Sequence, residues 1–156
     1  MIYAAVFEKF DIFNGLDETE KGMISGFFQE KFFNTDDVVY TEGEDGGSLY
    51  FLLDGKVRIC RRNKDGADLT LAVVKPGETF GLMSFVDGTH HNATTIADKD
   101  CKTVKLEKAD FESLFDKDPL IAAKVYKMIG IHLCEIIRDM NKQYMDITQY
   151  MYSRSK

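Results

Sequence analysis

Six short runs of strand-forming residues crowd into the stretch from Val38 to Leu106, and the gaps between them are rich in glycine and aspartate. The runs are Val38 to Tyr40, Ser48 to Leu53, Val57 to Arg62, Leu69 to Val74, Thr94 to Ala97 and Thr103 to Leu106. They are broken at Gly43 to Gly47, Asp54-Gly55, Asn63 to Gly66, Pro76-Gly77, Gly88 and Asp98 to Asp100. Short strands at regular intervals with glycine turns argue for a compact antiparallel β-roll or sandwich rather than a parallel sheet. Gly55 after Asp54 suits a tight hairpin that needs positive φ, and Gly77 after Pro76 suits a type II turn.

Helical patterns flank this region. Asp17 with Glu20 predicts a helix start of capping-box type, and Met23, Ile24, Phe27 and Phe28 extend it as an amphipathic helix of about three turns. Phe32-Phe33 is β-rich and is followed by the turn composition Asn34 to Asp37. Past the roll, Glu107 to Phe115 predicts a short helix, and Asp118-Pro119 opens the longest helical pattern in the chain, running to about Tyr152. The chain divides accordingly into an N-terminal helical segment (1–35), a β-roll (36–107) and C-terminal helices (108–156).

On that last helix Ile129, Leu133, Ile136, Met140, Tyr144, Ile147 and Met151 recur at spacings of 4, 3, 4, 4, 3 and 4, close to a heptad seam with one irregular step. A domain of this size cannot cover so long a stripe, so a parallel homodimer through this helix is expected. The alternative is a helix folded back on its own roll, because the stripe alone does not say which surface it meets.

Net charge is −6, which argues against broad contact with nucleic acid or anionic lipid. No apolar run approaches the ~20 residues of a membrane span, and the first ten residues lack a signal layout. Cys60, Cys101 and Cys134 are odd in number and include no Cys-x-x-Cys pair, which fits reduced thiols in the cytoplasm. Each is expected to be a small buried apolar side chain.

The stretch from Phe80 to Ala97 carries the chemistry. A strand and the turn Lys75 to Glu78 deliver the chain into it, Gly81 to Phe85 reads as one helical turn stopped by Asp87-Gly88, and Thr94-Thr95-Ile96 resumes strand chemistry. A helical turn entered through glycine leaves backbone N–H groups free to hold an anion. The returning residues are His90, His91 and Asn92.

In Phe80, Gly81, Met83, Ser84, Ala93 and Thr94 this stretch resembles the phosphate cassette of the cyclic nucleotide-binding domain, as found in catabolite-activator-type regulators and kinase regulatory subunits. Glu42-Gly43-Glu44, Ser48 to Phe51, Gly55-Lys56-Val57 and Pro76 to Phe80 are similar to its strand and turn signatures, so the resemblance spans about two thirds of the chain. It implies a jelly-roll-like double-stranded β-helix with an N-terminal helix and a long C-terminal one, and regulatory sensing of a cyclic nucleotide. Two positions depart from the family. Leu82 stands where it carries the glutamate that takes the ribose 2′-hydroxyl, and His91 where it carries the arginine that pairs with the phosphate. Arginine is always charged and binds phosphate with two parallel hydrogen bonds, whereas an unperturbed histidine is roughly a quarter protonated at pH 7. Leucine for glutamate removes an acceptor, a loss on the order of 1 to 3 kcal/mol.

The candidate pocket is therefore Phe80, Gly81, Leu82, Met83, Ser84, His91, Asn92, Ala93 and Thr94, with His132, Ile136 and Ile137 of the long helix as its lid. No cofactor or metal is expected, because neighbours such as His90 and His91 point to opposite faces on extended chain. His132 with His91 as a haem or metal pair competes with a solvated or core histidine. Ser84, Asp87 and His91 are the residue types of a hydrolytic triad, but no nucleophile elbow or other catalytic motif accompanies them, so the chain is not expected to be an enzyme. Two functions remain: a sensor in which a small anionic ligand, held weakly or of another kind, shifts the long helix, and a ligand-free dimerisation or protein-interaction scaffold.

Overall fold

The computed structural model describes residues 2–156. Its elements run α1 (Ile2–Lys9), a 3-10 turn (Asp11–Phe13), α2 (Glu18–Ser25), β1 (Phe28–Phe33), β2 (Val38–Tyr40), β3 (Ser48–Asp54), β4 (Val57–Arg62), β5 (Asp68–Val74), β6 (Thr79–Phe80), α3 (Leu82–Asp87), β7 (Thr94–Ala97), β8 (Cys101–Glu107), α4 (Lys108–Glu112), α5 (Leu114–Lys117) and α6 (Pro119–Arg154). The strands form two antiparallel four-stranded sheets, ordered β1-β8-β3-β6 and β2-β7-β4-β5. The expected jelly-roll with flanking helices is the fold observed.

β3 explains how the two halves of the core divide. Its run Leu49 to Leu53 is buried on both faces, which is why it reads as continuous apolar sequence rather than alternation. Leu49, Phe51 and Leu53 face the helices, where Phe51 meets Phe10 and Phe13 at ring distances of 5.0 and 5.3 Å. Tyr50 and Leu52 face the interior of the roll with Phe80, Val57, Val74 and Ala97. A single strand thus joins a helical layer to the roll.

The N-terminal region differs from expectation in two ways. α1, which no sequence signal marked, packs Val6 into the helical core. α2 has the capping box, with Asp17 Oδ1 accepting from the Glu20 amide and Glu20 Oε2 accepting from the Asp17 amide, both at 2.9 Å. It ends after two turns, however, because Gly26 caps it and Phe28 already pairs with Leu106 in the sheet. Phe27 and Phe28 are not helical, and Met23 is exposed. Glu20 also receives Lys124 Nζ of α6 at 2.7 Å, so the cap residue ties α2 to the long helix.

The expected helix Glu107 to Phe115 is two short helices, α4 and α5, divided at Ser113. α6 starts at Pro119 with the Asp118 side chain accepting from the Ile121 amide, and its 36 residues extend roughly 54 Å. Ile121, Ala122, Val125 and Ile129 are buried in the helical core. Ile129 therefore belongs to the domain's own core and is not part of an intermolecular seam. From Ile131 onward the large apolar side chains of α6 are exposed, with Leu133 half-buried.

Candidate functional site

Gly81 turns the chain from β6 into α3 at φ 79°, a conformation that favours glycine. A Cβ there would lie 2.4 Å from the Ser48 carbonyl oxygen, so close approach to β3 demands glycine a second time. The Phe85 amide donates to the Gly81 carbonyl at 3.1 Å, and among the described residues no backbone acceptor takes the first α3 amides, as at any helix start. Gly88, at φ 71°, ends the helix.

The return segment is stitched to the β2–β3 loop. The Gly43 amide donates to the His91 carbonyl at 2.7 Å, and the His91 amide donates to the Glu44 carbonyl at 2.9 Å. Gly46 lets that loop press on α3, since a Cβ there would fall 2.2 Å from Ser84 Cβ. The acidic loop thus serves as the clamp that fixes His91.

These elements and α6 enclose a cavity of about 220 Å³. Phe80, Gly81, Leu82, Met83, Ser84, His91, Asn92 and Ala93 of the candidate set line it, together with Tyr40, Ile59, Thr79, Thr89 and His90. Leu133 and Ile136 close it from α6. Three expected residues stand outside. Thr94 turns its hydroxyl to the Glu42 amide at 2.9 Å and borders a groove on the other face of its sheet. Ile137 is 56% exposed, because one residue along the helix is a rotation of about 100° away from Ile136. His132 lies on the opposite flank of α6, beside Phe10, Ile12 and Glu78, with Nδ1 3.8 Å from Glu135.

With Ile129 in the core and Ile136 at the cavity, the expected seam also changes. The exposed series is Ile137, Met140, Tyr144, Ile147 and Met151, and with Leu133 ahead of it the spacings become 4, 3, 4, 3 and 4 without the irregular step.

His91 is the central side chain. It is 8% exposed, and its ring stacks on Tyr40 with centroids 3.6 Å apart and planes 6° from parallel. Its Nδ1 lies 3.4 Å from Ser84 Oγ. Burial pushes its pKa below the ordinary histidine value, against a weaker upward pull from Glu44, which favours the neutral ring. His90 sits at the cavity's exposed rim, where its Nδ1 meets Asp45 at 2.9 Å. The Asp87 carboxylate is spent on Thr89, accepting its hydroxyl at 2.7 Å and its amide at 2.9 Å, which leaves Ser84 and His91 without an orienting acid. Tyr40 and Ile59 carried no sequence signal as pocket residues: Tyr40 read only as strand chemistry, and its role as the plate under His91 depends on the pairing of β2 with β7.

No Lys, Arg, Asp or Glu lines the cavity. Its polar lining is the His90 and His91 imidazoles, the Ser84, Thr79 and Thr89 hydroxyls, the Tyr40 phenol and the Asn92 amide, set among apolar walls.

The model of the cyclic nucleotide-binding domain matches residues 30–118. The cyclic AMP receptor protein of Thermus thermophilus is 31% identical over 80% of this chain, and the CRP-like cAMP-activated global transcriptional regulator of Mycobacterium tuberculosis is 25% identical over 78%. The matched stretches make up 57% and 54% of those proteins, so this chain spans little more than half the length of either. The crystal structure of a cyclic nucleotide-binding domain from Methylobacillus flagellatus superposes with a TM-score of 0.82 at 21% identity, covering 92% of this chain and 83% of that one.

Proposed function

The chain belongs to the cyclic nucleotide-binding domain family, and from that premise we propose that it is a regulatory small-molecule sensor whose cavity reports its occupancy through α6. The observation that carries this reading is that a single helix does both jobs. Leu133 and Ile136 close the cavity, and the exposed apolar series starts at the next residue, Ile137. A ligand touching those two side chains favours one placement of α6 to the extent that it binds the two placements differently.

The output would be a parallel homodimer through α6. Between Leu133 and Met151 the positions flanking the series are Cys134, Ile136, Asn141, Gln143, Thr148 and Tyr150, none charged, so two copies meet without like-charge repulsion. The net charge of −6 speaks against a nucleic-acid or membrane surface on this stretch, and the three free thiols fit the cytoplasm. We assign it no catalysis.

The ligand class is suggested by the relatives named for cyclic AMP, but Leu82 and the neutral His91 replace the two anchors of the family that this chain resembles. Cyclic nucleotides should therefore bind weakly. A ligand-free scaffold is the second reading, favoured by the lack of any fixed cation around the cavity.

Thermal shift with cyclic AMP and cyclic GMP separates the two, because a ligand at 100 times its Kd adds about 2.7 kcal/mol of stability. The double variant Leu82→Glu, His91→Arg should be less stable when empty, since Leu82 packs in the core, yet show the larger shift with nucleotide. Absence of any shift at millimolar nucleotide in both proteins moves the assignment to the scaffold.

A further inference from the structure

We infer that the cavity under α6 takes an uncharged ligand with an apolar body and an O–H or N–H donor, the donor being received by His91 Nε2. The inference rests on the sensor reading and names the ligand class of that same site.

It turns on which acceptor takes one proton. The Ser84 hydroxyl donates to the Gly81 carbonyl at 3.2 Å. A serine hydroxyl has a single proton, and with it given to the Gly81 carbonyl, the shorter of the two contacts, Ser84 Oγ accepts from His91 Nδ1, 3.4 Å away. The hydrogen of the neutral imidazole therefore sits on Nδ1, and Nε2 carries a bare lone pair. No protein group among the described residues bonds Nε2, and the ring lines the cavity. Ser84 is 4% and His91 8% exposed, and the Tyr40 stack holds the ring plane, so this acceptor is built into the floor rather than loose on the surface.

The surroundings offer a ligand no Lys, Arg, Asp or Glu, and the one other imidazole, His90 at the exposed rim, is already paired with Asp45 at 2.9 Å. Ile59, Leu82, Met83, Ala93, Leu133 and Ile136 supply the walls. An anion would meet a lone pair instead of a cation, and could be held there only if His91 first gained a proton. Burial opposes that gain. The titratable groups around the ring are Tyr40 of β2, Glu44 of the following loop and His90 at the rim, whose Nδ1 is taken by Asp45; α3 offers Ser84 and α6 offers Leu133 and Ile136, so no fixed cation replaces the missing charge. Anion entry is thus linked to proton uptake, whereas a neutral donor needs none.

The test is 15N NMR of the histidine rings in the full chain at about pH 7.5, assigned with His90→Asn and His132→Asn, together with titrations of 2-naphthol, 2-methoxynaphthalene and 2-naphthoate. The free protein should show Nδ1 of His91 protonated and Nε2 unprotonated. 2-Naphthol should move the Nε2 resonance and bind at least about tenfold more tightly than its methyl ether, the effect of one buried hydrogen bond. Ser84→Ala should shrink that ratio by releasing the tautomer. 2-Naphthoate should bind more weakly than 2-naphthol and improve as pH falls.

A protonated Nε2 in the free chain, or an ether that binds as well as 2-naphthol, overturns the donor assignment. Naphthoate binding tighter than 2-naphthol without proton uptake also overturns it, and leaves a sensor of anions. If neither these probes nor the cyclic nucleotides move any cavity resonance, both this inference and the sensor reading fall.

Discussion

The two parts of α6 both carry a helical apolar stripe and have opposite fates. From Pro119 to Ile129 the helix sets four side chains at 0 to 1% exposure into the core, while beyond Gly130 Ile137, Met140, Tyr144, Ile147 and Met151 are exposed by 56 to 71%. The first part is held by its own domain, and the second is a surface in search of one. Helical periodicity is the same in both, so what separates them is the reach of the β-roll beneath, which ends at the cavity with Leu133 and Ile136.

The strongest way to break this contrast is to cut into both parts. Ile129→Ala should cost about 2–5 kcal/mol of unfolding free energy, because it empties a closed site. Tyr144→Ala, measured at a dilution where the chain is monomeric, should stay within about 0.5 kcal/mol. Equal losses in denaturant titration would mean that the distal part folds back onto its own domain.

Next in size is the effect of a second copy. Met140→Glu with Ile147→Glu should reduce the mass in sedimentation from two chains to one, and should abolish any rise of Tm with protein concentration. A parent chain that is monomeric at high concentration, with the same Tm throughout, would remove the homodimer from the proposal.

The same contrast marks how far the sequence could be read. The roll was legible because each turn demands glycine or aspartate locally, and the cassette glycine because a helical turn must be entered there. α1 was not, since its eight residues show no cap signal and take their helix from packing on Phe28 and Phe13. The pocket floor was legible at Leu82, Ser84 and His91, which are close in sequence. Tyr40 and Ile59 reach it only through strand register, and whether Ile136 or Ile137 faces it depends on the rotation of α6 about its axis. The irregular step in the seam was a symptom: it mixed core, cavity and exposed residues in one series.

A smaller effect tests how the proximal part is moored. Lys124 holds both carboxylate oxygens of Glu20, at 2.7 and 2.9 Å, and this contact, with the Asp17 amide next, lowers the Glu20 pKa below the ordinary glutamate value. A carboxylate depressed in the folded state adds stability that is complete above its unfolded pKa and is lost as pH falls through the folded one. Lys124→Met should therefore lower Tm at neutral pH and flatten the acid limb below the ordinary glutamate range. Melting curves from about pH 6 down to 3 that run parallel for the two proteins would show that the tie contributes nothing.

The smallest expected effect lies at the boundary itself. Gly130 is helical with φ in the ordinary range, and a Cβ added there would meet nothing within 4 Å, so no contact in the domain requires glycine. Gly130→Ala should stabilise by about 0.5–1 kcal/mol through the unfolded chain and helix propensity alone. That is roughly 1–4 °C in Tm for a domain of this length. The gain should appear in the monomer and be independent of ligand, because the substitution touches neither the cavity nor the exposed series. An alanine that instead destabilises would mean that α6 bends at Gly130 in solution, and the two parts of the helix would then be separate bodies joined at the last core residue.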